Sequence, residues 1–249
     1  MTTFKDHFSG HAADYARFRP NYPPKLFDYL ASISPEHELA WDCATGNGQA
    51  AAGLADHFAR VIATDASARQ IESAQPHPRI GYSVAPAEAS GIDPDSVDLV
   101  LVAQALHWFD MDRFFAEAKR VSKENGILAV STYTLVSVNP EIDAILSKFY
   151  YETTGPYWPP ERELVETNFE KISFPFPELP SRQFEIRQEW NLAQLTGYLR
   201  TWSATKKFIA ACGFDPVDSV LQELGSVWHD RDQTRYVTWP LKLRTFRIQ

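Results

Sequence analysis

Cysteine is nearly absent: Cys43 and Cys212 are the only two in 249 residues. Two thiols cannot staple a disulfide scaffold, and they suit a reducing compartment, so the expected location is the cytoplasm. No run of about 18 apolar residues occurs, so nothing is expected to span a membrane. The first eighteen residues, MTTFKDHFSGHAADYARF, lack the apolar stretch of a signal peptide. Basic charge is in deficit, with 24 Lys and Arg against 32 Asp and Glu and a net charge of −8. A surface built to hold nucleic-acid phosphates would be basic, so a dedicated nucleic-acid binder is disfavoured. Metal signatures are missing too. There is no His-Glu-x-x-His and no Cys-x-x-Cys, and His57, His77 and His229 are scattered, so no metal is expected. No Gly-x-Ser-x-Gly occurs, which argues against an α/β-hydrolase.

What is present is apolar and aromatic. The chain is 44% hydrophobic and 13% aromatic, with seven Trp, ten Tyr and sixteen Phe. Such a chain can bury a large core. Its first half alternates short apolar runs with amphipathic stretches. The runs are Glu38–Ala44, Val61–Asp65, Arg79–Val84, Ser96–Val102 and Gly126–Tyr133. Between them, Gln49–Phe58 carries Ala51, Leu54, Ala55 and Phe58 on one helical face. Ser67 with Gln70 reads as a capping box, with Ile71 and Ala74 facing inward. Asp110 caps a helix with Phe114, Phe115, Ala118 and Val121 on its core side. Parallel strands need such crossovers, so the pattern predicts a doubly wound α/β sheet.

The second half changes character. Six prolines fall between residues 150 and 190 and punctuate irregular structure. Phe184–Trp190 alternates weakly as a strand, Asn191 caps a helix with Leu192, Leu195 and Leu199, and Asp215-Pro216 opens another. Tyr236–Ile248 alternates as a final strand. Its apolar phase shifts at Phe246, which predicts a bulge. Pro240 lacks a donor, so pairing is expected only after it.

The sharpest local signal is Trp41-Asp42-Cys43-Ala44-Thr45-Gly46-Asn47-Gly48-Gln49, where the first strand hands over to the first helix. Two glycines one residue apart remove side chains where a ligand could approach the backbone. No Gly-Lys-Ser/Thr follows, so it is not a P-loop. Ala51 stands where a dinucleotide fingerprint has its third small residue, which keeps NAD open. Asp65 ends the second strand. A carboxylate there can accept from both hydroxyls of a ribose, or stabilise the next helix start.

These residues resemble motif I of class I S-adenosylmethionine-dependent methyltransferases. Asp42, Gly46 and Gly48 match the motif's acid and small positions, and Ala44 replaces its first glycine. Asp65, followed by Ala66, matches the ribose acid. Ala87-Glu88 falls where the family lines the adenine pocket, although Pro86 stands where an Asp is often found. Gln104-Ala105-Leu106-His107-Trp108-Phe109 is similar to a segment of the trans-aconitate methyltransferase-like, type 11 subgroup. Phe8-Ser9-Gly10-His11, Tyr15 and Arg19-Pro20-Asn21-Tyr22-Pro23 resemble that subgroup's leading helix. Tyr198–Ser203 and Trp239-Pro240-Leu241 match it more loosely.

The resemblance implies S-adenosyl-L-methionine as cofactor. It also implies a seven-stranded, mostly parallel, Rossmann-like sheet with a C-terminal substrate cover. Residues 1–249 would form one methyltransferase domain: lid helices over 1–36, the cofactor core over 37–136, the cover and late sheet elements over 137–233, and a final strand over 234–249. The implied cofactor residues are Tyr15, Arg19, Asp42, Ala44, Gly46, Gly48, Asp65, Ala66, Ala87, Glu88, Gln104 and Ala105. Tyr15 would be an aromatic cover and Arg19 a donor to the methionine carboxylate. A non-catalytic cofactor-binding adaptor and an NAD-dependent oxidoreductase are the alternatives, because fold alone does not give activity.

The acceptor sets the rest of the chemistry. A carboxylate is already ionised at neutral pH and needs no base. It needs cations, and Arg182 and Arg200 are the candidates, each able to grip it bidentately. A phenol or amine would benefit from a base, and His107 after the fourth strand is placed for that. Trp158 and Trp202 belong to the aromatic-rich second half, which is expected to cover a small-molecule acceptor.

Overall fold

A computed structural model describes residues 18–249, so Tyr15 and most of the leading-helix segment lie outside the described residues. Among the described residues, the first complete elements are helix α1 (Pro24–Ile33) and strand β1 (Leu39–Cys43). The chain continues through α2 (Gln49–Leu54), β2 (Arg60–Asp65), α3 (Ala68–Glu72), β3 (Ile80–Val84), β4 (Val97–Ala103), α4 (Met111–Val121) and β5 (Ser122–Tyr133). The second half holds α5 (Pro140–Lys148), α6 (Arg162–Glu166), β6 (Arg182–Trp190), α7 (Leu192–Arg200), α8 (Ser203–Cys212), α9 (Val217–Trp228) and β7 (Arg235–Arg247). The seven strands form one sheet in the order β3-β2-β1-β4-β5-β7-β6. Strands β1 to β5 are parallel, and β7 runs antiparallel to both its neighbours. This is the doubly wound, mostly parallel architecture that the sequence predicts.

Parallel strands covered on both faces read as continuous apolar runs, and β4 is buried from Val97 to Val102. Its side chains feed two cores. Leu99 and Leu101 join Leu26, Leu30, Leu54 and Phe58 on one face. Val100 and Val102 join Trp41, Phe114, Phe115, Ala118 and Val121 on the other. Trp41 is fully buried there and donates to Thr64 Oγ1 at 2.9 Å.

Several local expectations need correction. Helix α2 stops at Leu54, although Phe58 is still buried. The Ser67 hydroxyl does not cap α3; instead Asp65 Oδ1 accepts from the Ser67 amide at 2.8 Å. Ala74 lies beyond the end of that helix. Strand β7 carries no bulge: its register against β5 and β6 is unbroken. The apolar phase shifts at Phe246 because that end of the strand is covered on its opposite face, where Phe174 stacks on Phe246 at 4.1 Å. Pairing also begins well before Pro240, which lies opposite Glu185 of β6. The Thr238 amide points toward the β5 side, to Ser137 O. By the two-residue repeat of a strand, the donor missing at Pro240 falls on that same side, where β5 pairing has ended at Tyr133–Leu241.

One buried carboxylate holds the start of the sheet. Asp98 is 0% exposed, and its Oδ2 accepts from the amides of Glu38 and Leu39, both at 2.9 Å. Its Oδ1 lies 2.9 Å from Lys123 Nζ, an ion pair by distance at an angle poor for a hydrogen bond. Removing it strands two buried donors and half of an ion pair. We expect Asp98→Ala to lower unfolding free energy by about 3 kcal/mol, read as a fall in urea midpoint at unchanged slope. Glu36→Ala, which removes an exposed partner of the same lysine, should cost under about 1 kcal/mol.

Candidate functional site

The order of the strands reverses between β1 and β4, and at such a switch point the two following loops diverge and leave a crevice. After β1 the chain turns sharply, with Ala44, Gly46 and Gly48 at φ of 57°, 59° and 90°. Left-handed backbone suits glycine; at Ala44 it costs roughly 1–2 kcal/mol. The alanine in place of the first motif glycine therefore carries strain as well as bulk. Among the described residues, nothing lies within 4 Å of where a Gly46 Cβ would stand, so that backbone faces open space between them. A Cβ on Gly48 would run into the Tyr82 hydroxyl.

Two acids brace this turn. Asp65, at the end of β2, accepts from the Gly46 amide at 2.9 Å through Oδ2 and from the Ser67 amide through Oδ1. Both the loop-bracing role and further acceptance are open to it, since each carboxylate oxygen has a second lone pair. Asp42 is 0% exposed. Its Oδ2 accepts from the Thr45 hydroxyl, while its Oδ1 is buried with no hydrogen-bond partner in the described structure. Burial pushes Asp42 up to about 7, against the lowering pull of Thr45 and the Ala51 amide, and the nearby Asp65 charge adds to the rise. An orphaned acceptor beside an open backbone cradle fits a ligand bearing a cationic ammonium, as the amino acid end of S-adenosylmethionine does. Ala66 is half-buried next to Asp65, and Ala87 is buried beyond β3. Glu88 Oε1 accepts from the Asp110 amide at 2.9 Å.

The second rim of the crevice follows β4. Gln104 has φ of 60°, and three bonds to β5 hold it there. Its amide donates to Ser131 O at 2.9 Å, its Nε2 donates to Tyr133 O at 2.8 Å, and its Oε1 accepts from Thr132 Oγ1 at 3.0 Å. A left-handed residue persists where its surroundings over-determine it. The side chain of Gln104 thus joins two strands and leaves the backbone to form the rim. Ala105 is buried, and a tight turn over Leu106–Trp108 places His107 and Trp108 side by side, ring centres 4.5 Å apart.

Beyond that rim lies a cavity of about 60 Å3, lined by His107, Trp108, Trp158 and Trp202 together with Arg19 and Arg162. Arg19 donates to Tyr133 Oη at 3.3 Å and Thr201 O at 3.4 Å, and its guanidinium lies 5.5 Å from the Tyr198 ring centre. Arg162 donates through Nε to Tyr150 Oη at 2.8 Å, and that hydroxyl donates on to Glu166 at 2.6 Å. Its guanidinium lies over the Trp158 ring at 4.8 Å. Arg162 enters no ion pair among the described residues. Burial, and secondarily the Arg162 charge, pull His107 down to about 3, so its imidazole is neutral across the ordinary pH range.

Two predicted acceptor residues are elsewhere. Arg200 is paired with Asp215 at 2.6 Å and Asp218 at 2.8 Å, because the loop into α9 brings both acids under it. Arg182 sits on the exposed edge strand β6 and lies over the Tyr29 ring at 4.6 Å. Neither lines the cavity. Arg162 lines it instead, a residue not among the candidates read from the sequence. Its one local signal is its place just after Trp158-Pro159-Pro160.

A family described as a methyltransferase domain matches residues 41–130, the span from β1 to β5. A candidate methyltransferase of Dictyostelium discoideum is 33% identical over 235 residues, covering 93% of this chain and 89% of that protein. The solved structure of a candidate type II methyltransferase from Anaeromyxobacter dehalogenans superposes with a TM-score of 0.88 at 43% identity, covering 93% of this chain and 98% of that one. A phosphoethanolamine N-methyltransferase of Haemonchus contortus, solved with S-adenosylhomocysteine, shares the fold at 16% identity. Its TM-score is 0.50, over 97% of this chain and 60% of that one.

Asp42 has a testable pH signature. An acid whose folded value lies above its unfolded value binds extra protons in the native state, so stability falls as pH rises through that interval. For Asp42 the interval runs from 3.8 to about 7. In urea titrations, Asp42→Asn should remove that decline and be more stable than wild type above pH 7. Equal pH dependence in the two proteins would show that Asp42 is ionised at no cost.

Proposed function

The chain belongs to the S-adenosylmethionine-dependent methyltransferases, and on that premise we propose that it methylates the carboxylate of a small organic acid, forming a methyl ester. One observation carries the acceptor: the cavity at the ends of β4 and β5 holds Arg162, in no ion pair among the described residues, beside an imidazole that stays neutral, while Arg19 on the same lining stays the candidate donor to the methionine carboxylate of the cofactor. The resemblance of Gln104–Phe109 to the trans-aconitate methyltransferase-like subgroup supports the same reading. Family membership sets aside the dinucleotide-dependent oxidoreductase, and turnover of a methyl acceptor is what separates an enzyme from a non-catalytic adaptor of the same fold.

When bound, S-adenosylmethionine supplies a sulfonium-activated methyl carbon, which a carboxylate oxygen can take in line with no proton leaving. The protein's part is alignment and exclusion of water. The orphaned Asp42 Oδ1 would take the ammonium group, and the backbone of Ala44, Gly46 and Gly48 would receive the amino acid end. Asp65 with Ala66 would take the ribose, and Ala87, Glu88 and Ala105 the purine. Tyr15, outside the described residues, stays a cover candidate. On the acceptor side, Arg162 offers a planar fork whose terminal nitrogens make no hydrogen bond within the described structure. That geometry matches a carboxylate. Trp158 and Trp202 wall the site, with ring centres 5.7 Å apart. Histidine at about 3 is a weak base, which favours an acceptor that needs none.

Net charge of −8 and two unpaired thiols support a cytoplasmic protein that acts on small molecules and not on nucleic acid. Among the described residues, no helix is long and apolar enough to cross a membrane.

A screen of organic acids with labelled methyl donor tests the acceptor class. With a turned-over acid, Arg162→Met should raise KM about tenfold or more, the cost of one charged hydrogen bond, and Arg162→Lys should recover part of it. His107→Ala should lower kcat by less than about tenfold; a loss of 10²–10⁴ at unchanged cofactor affinity is the mark of a general base and would overturn carboxylate chemistry.

A further inference from the structure

The inner cavity does not end at its aromatic wall. Tyr150, Trp158, Pro159 and Arg162 line it on one side and, on the other, line an outer groove of about 440 Å3. An apolar cavity of about 150 Å3 holds benzene. The inner space, at about 60 Å3, therefore admits an acceptor's reacting head and no ring or chain beyond it. The groove across Trp158 is the adjoining space in which a larger body can lie.

The groove's surface is suited to an apolar body. Tyr151, Pro160 and Gly155 complete it, and Tyr151 is 63% exposed, so its ring is available as an apolar surface beside Trp158 and the two prolines. Its two acids already have partners: Glu163 pairs with Lys171, and Glu166 accepts from Tyr150. Among the described residues, Arg162 is the one cation common to both linings. A carboxylate gripped by its fork therefore stands at the wall between the two spaces, and with that head in the inner space the groove is left for the hydrocarbon.

We propose that the groove bounded by Trp158, Tyr151 and Pro160 is a subsite for the hydrocarbon body of the acceptor, so that the preferred acceptors are carboxylic acids with an extended apolar chain or ring. This rests on the carboxylate reading above and adds where the rest of the molecule lies. Each methylene buried in the groove would tighten binding about threefold to fourfold. Trp158 would act as the threshold between head and body.

The test uses the full chain saturated with S-adenosylhomocysteine, with butanoate, octanoate and dodecanoate as probes. Calorimetry should show affinity rising with chain length, and Tyr151→Glu should flatten that rise while Tyr151→Trp keeps it. Methyl transfer from S-adenosylmethionine to the same acids is measured alongside. Equal affinity at every length, or a slope untouched by Tyr151→Glu, would overturn the groove and leave carboxylate methylation standing. A slope that Tyr151→Glu removes, with no acid methylated, would sustain the groove and overturn the carboxylate as the reacting group.

Discussion

Everything at this site depends on one topological constraint: after β1 the chain winds one way across the sheet, and after β4 it winds the other. The two loops leaving those strands cannot pack on each other. Both leave through a left-handed residue that is not glycine, Ala44 on one side and Gln104 on the other. Each is held there by neighbours. Asp65 grips the first turn through the Gly46 amide, and the end of β5 grips Gln104 through three bonds. Strain of this kind persists only where the surrounding structure fixes it. The crevice is therefore a product of rigid strand ends, and its shape does not wait on a ligand.

The same region concentrates unfavourable electrostatics. Asp42 is buried with one oxygen unsatisfied, His107 is held neutral, and Arg162 has aromatic faces and a tyrosine for company instead of a carboxylate. Two buried carboxylates elsewhere in the fold are matched. Asp98 meets two amides and a lysine, and Glu117 meets Ser90 and Arg120 so well that it falls to about 2. Matched charges stabilise the fold; unmatched ones have interactions left to offer.

The segments that meet at the crevice were legible in the sequence because each is local. The turn after β1, Asp65 after β2 and the Gln104–Trp108 segment after β4 are each fixed within a few residues, and strand order brings them together. The lining of the cavity beyond the crevice was not, because it depends on how distant segments meet. Arg200 is chemically as suitable as Arg162. What separates them is that the loop before α9 sets Asp215 and Asp218 against Arg200, a contact that helical periodicity does not report. The phase shift at Phe246 misled for a related reason. A strand pattern records which faces are covered, and a change of cover from Leu243 to Phe246 looks the same as a bulge.

Strand β7 lies between β5 and β6 and is the only strand that β6 pairs with. It also follows both of them in sequence. During synthesis β1 to β5 can assemble while β6 still has no sheet edge to join. Protein domains form from the N-terminus as the chain emerges, so the parallel part of the sheet would take shape first and β6 would be added only once β7 is in place. Loss of β7 would therefore cost more than one strand: it would uncouple β6 and expose the edge of β5 to other chains.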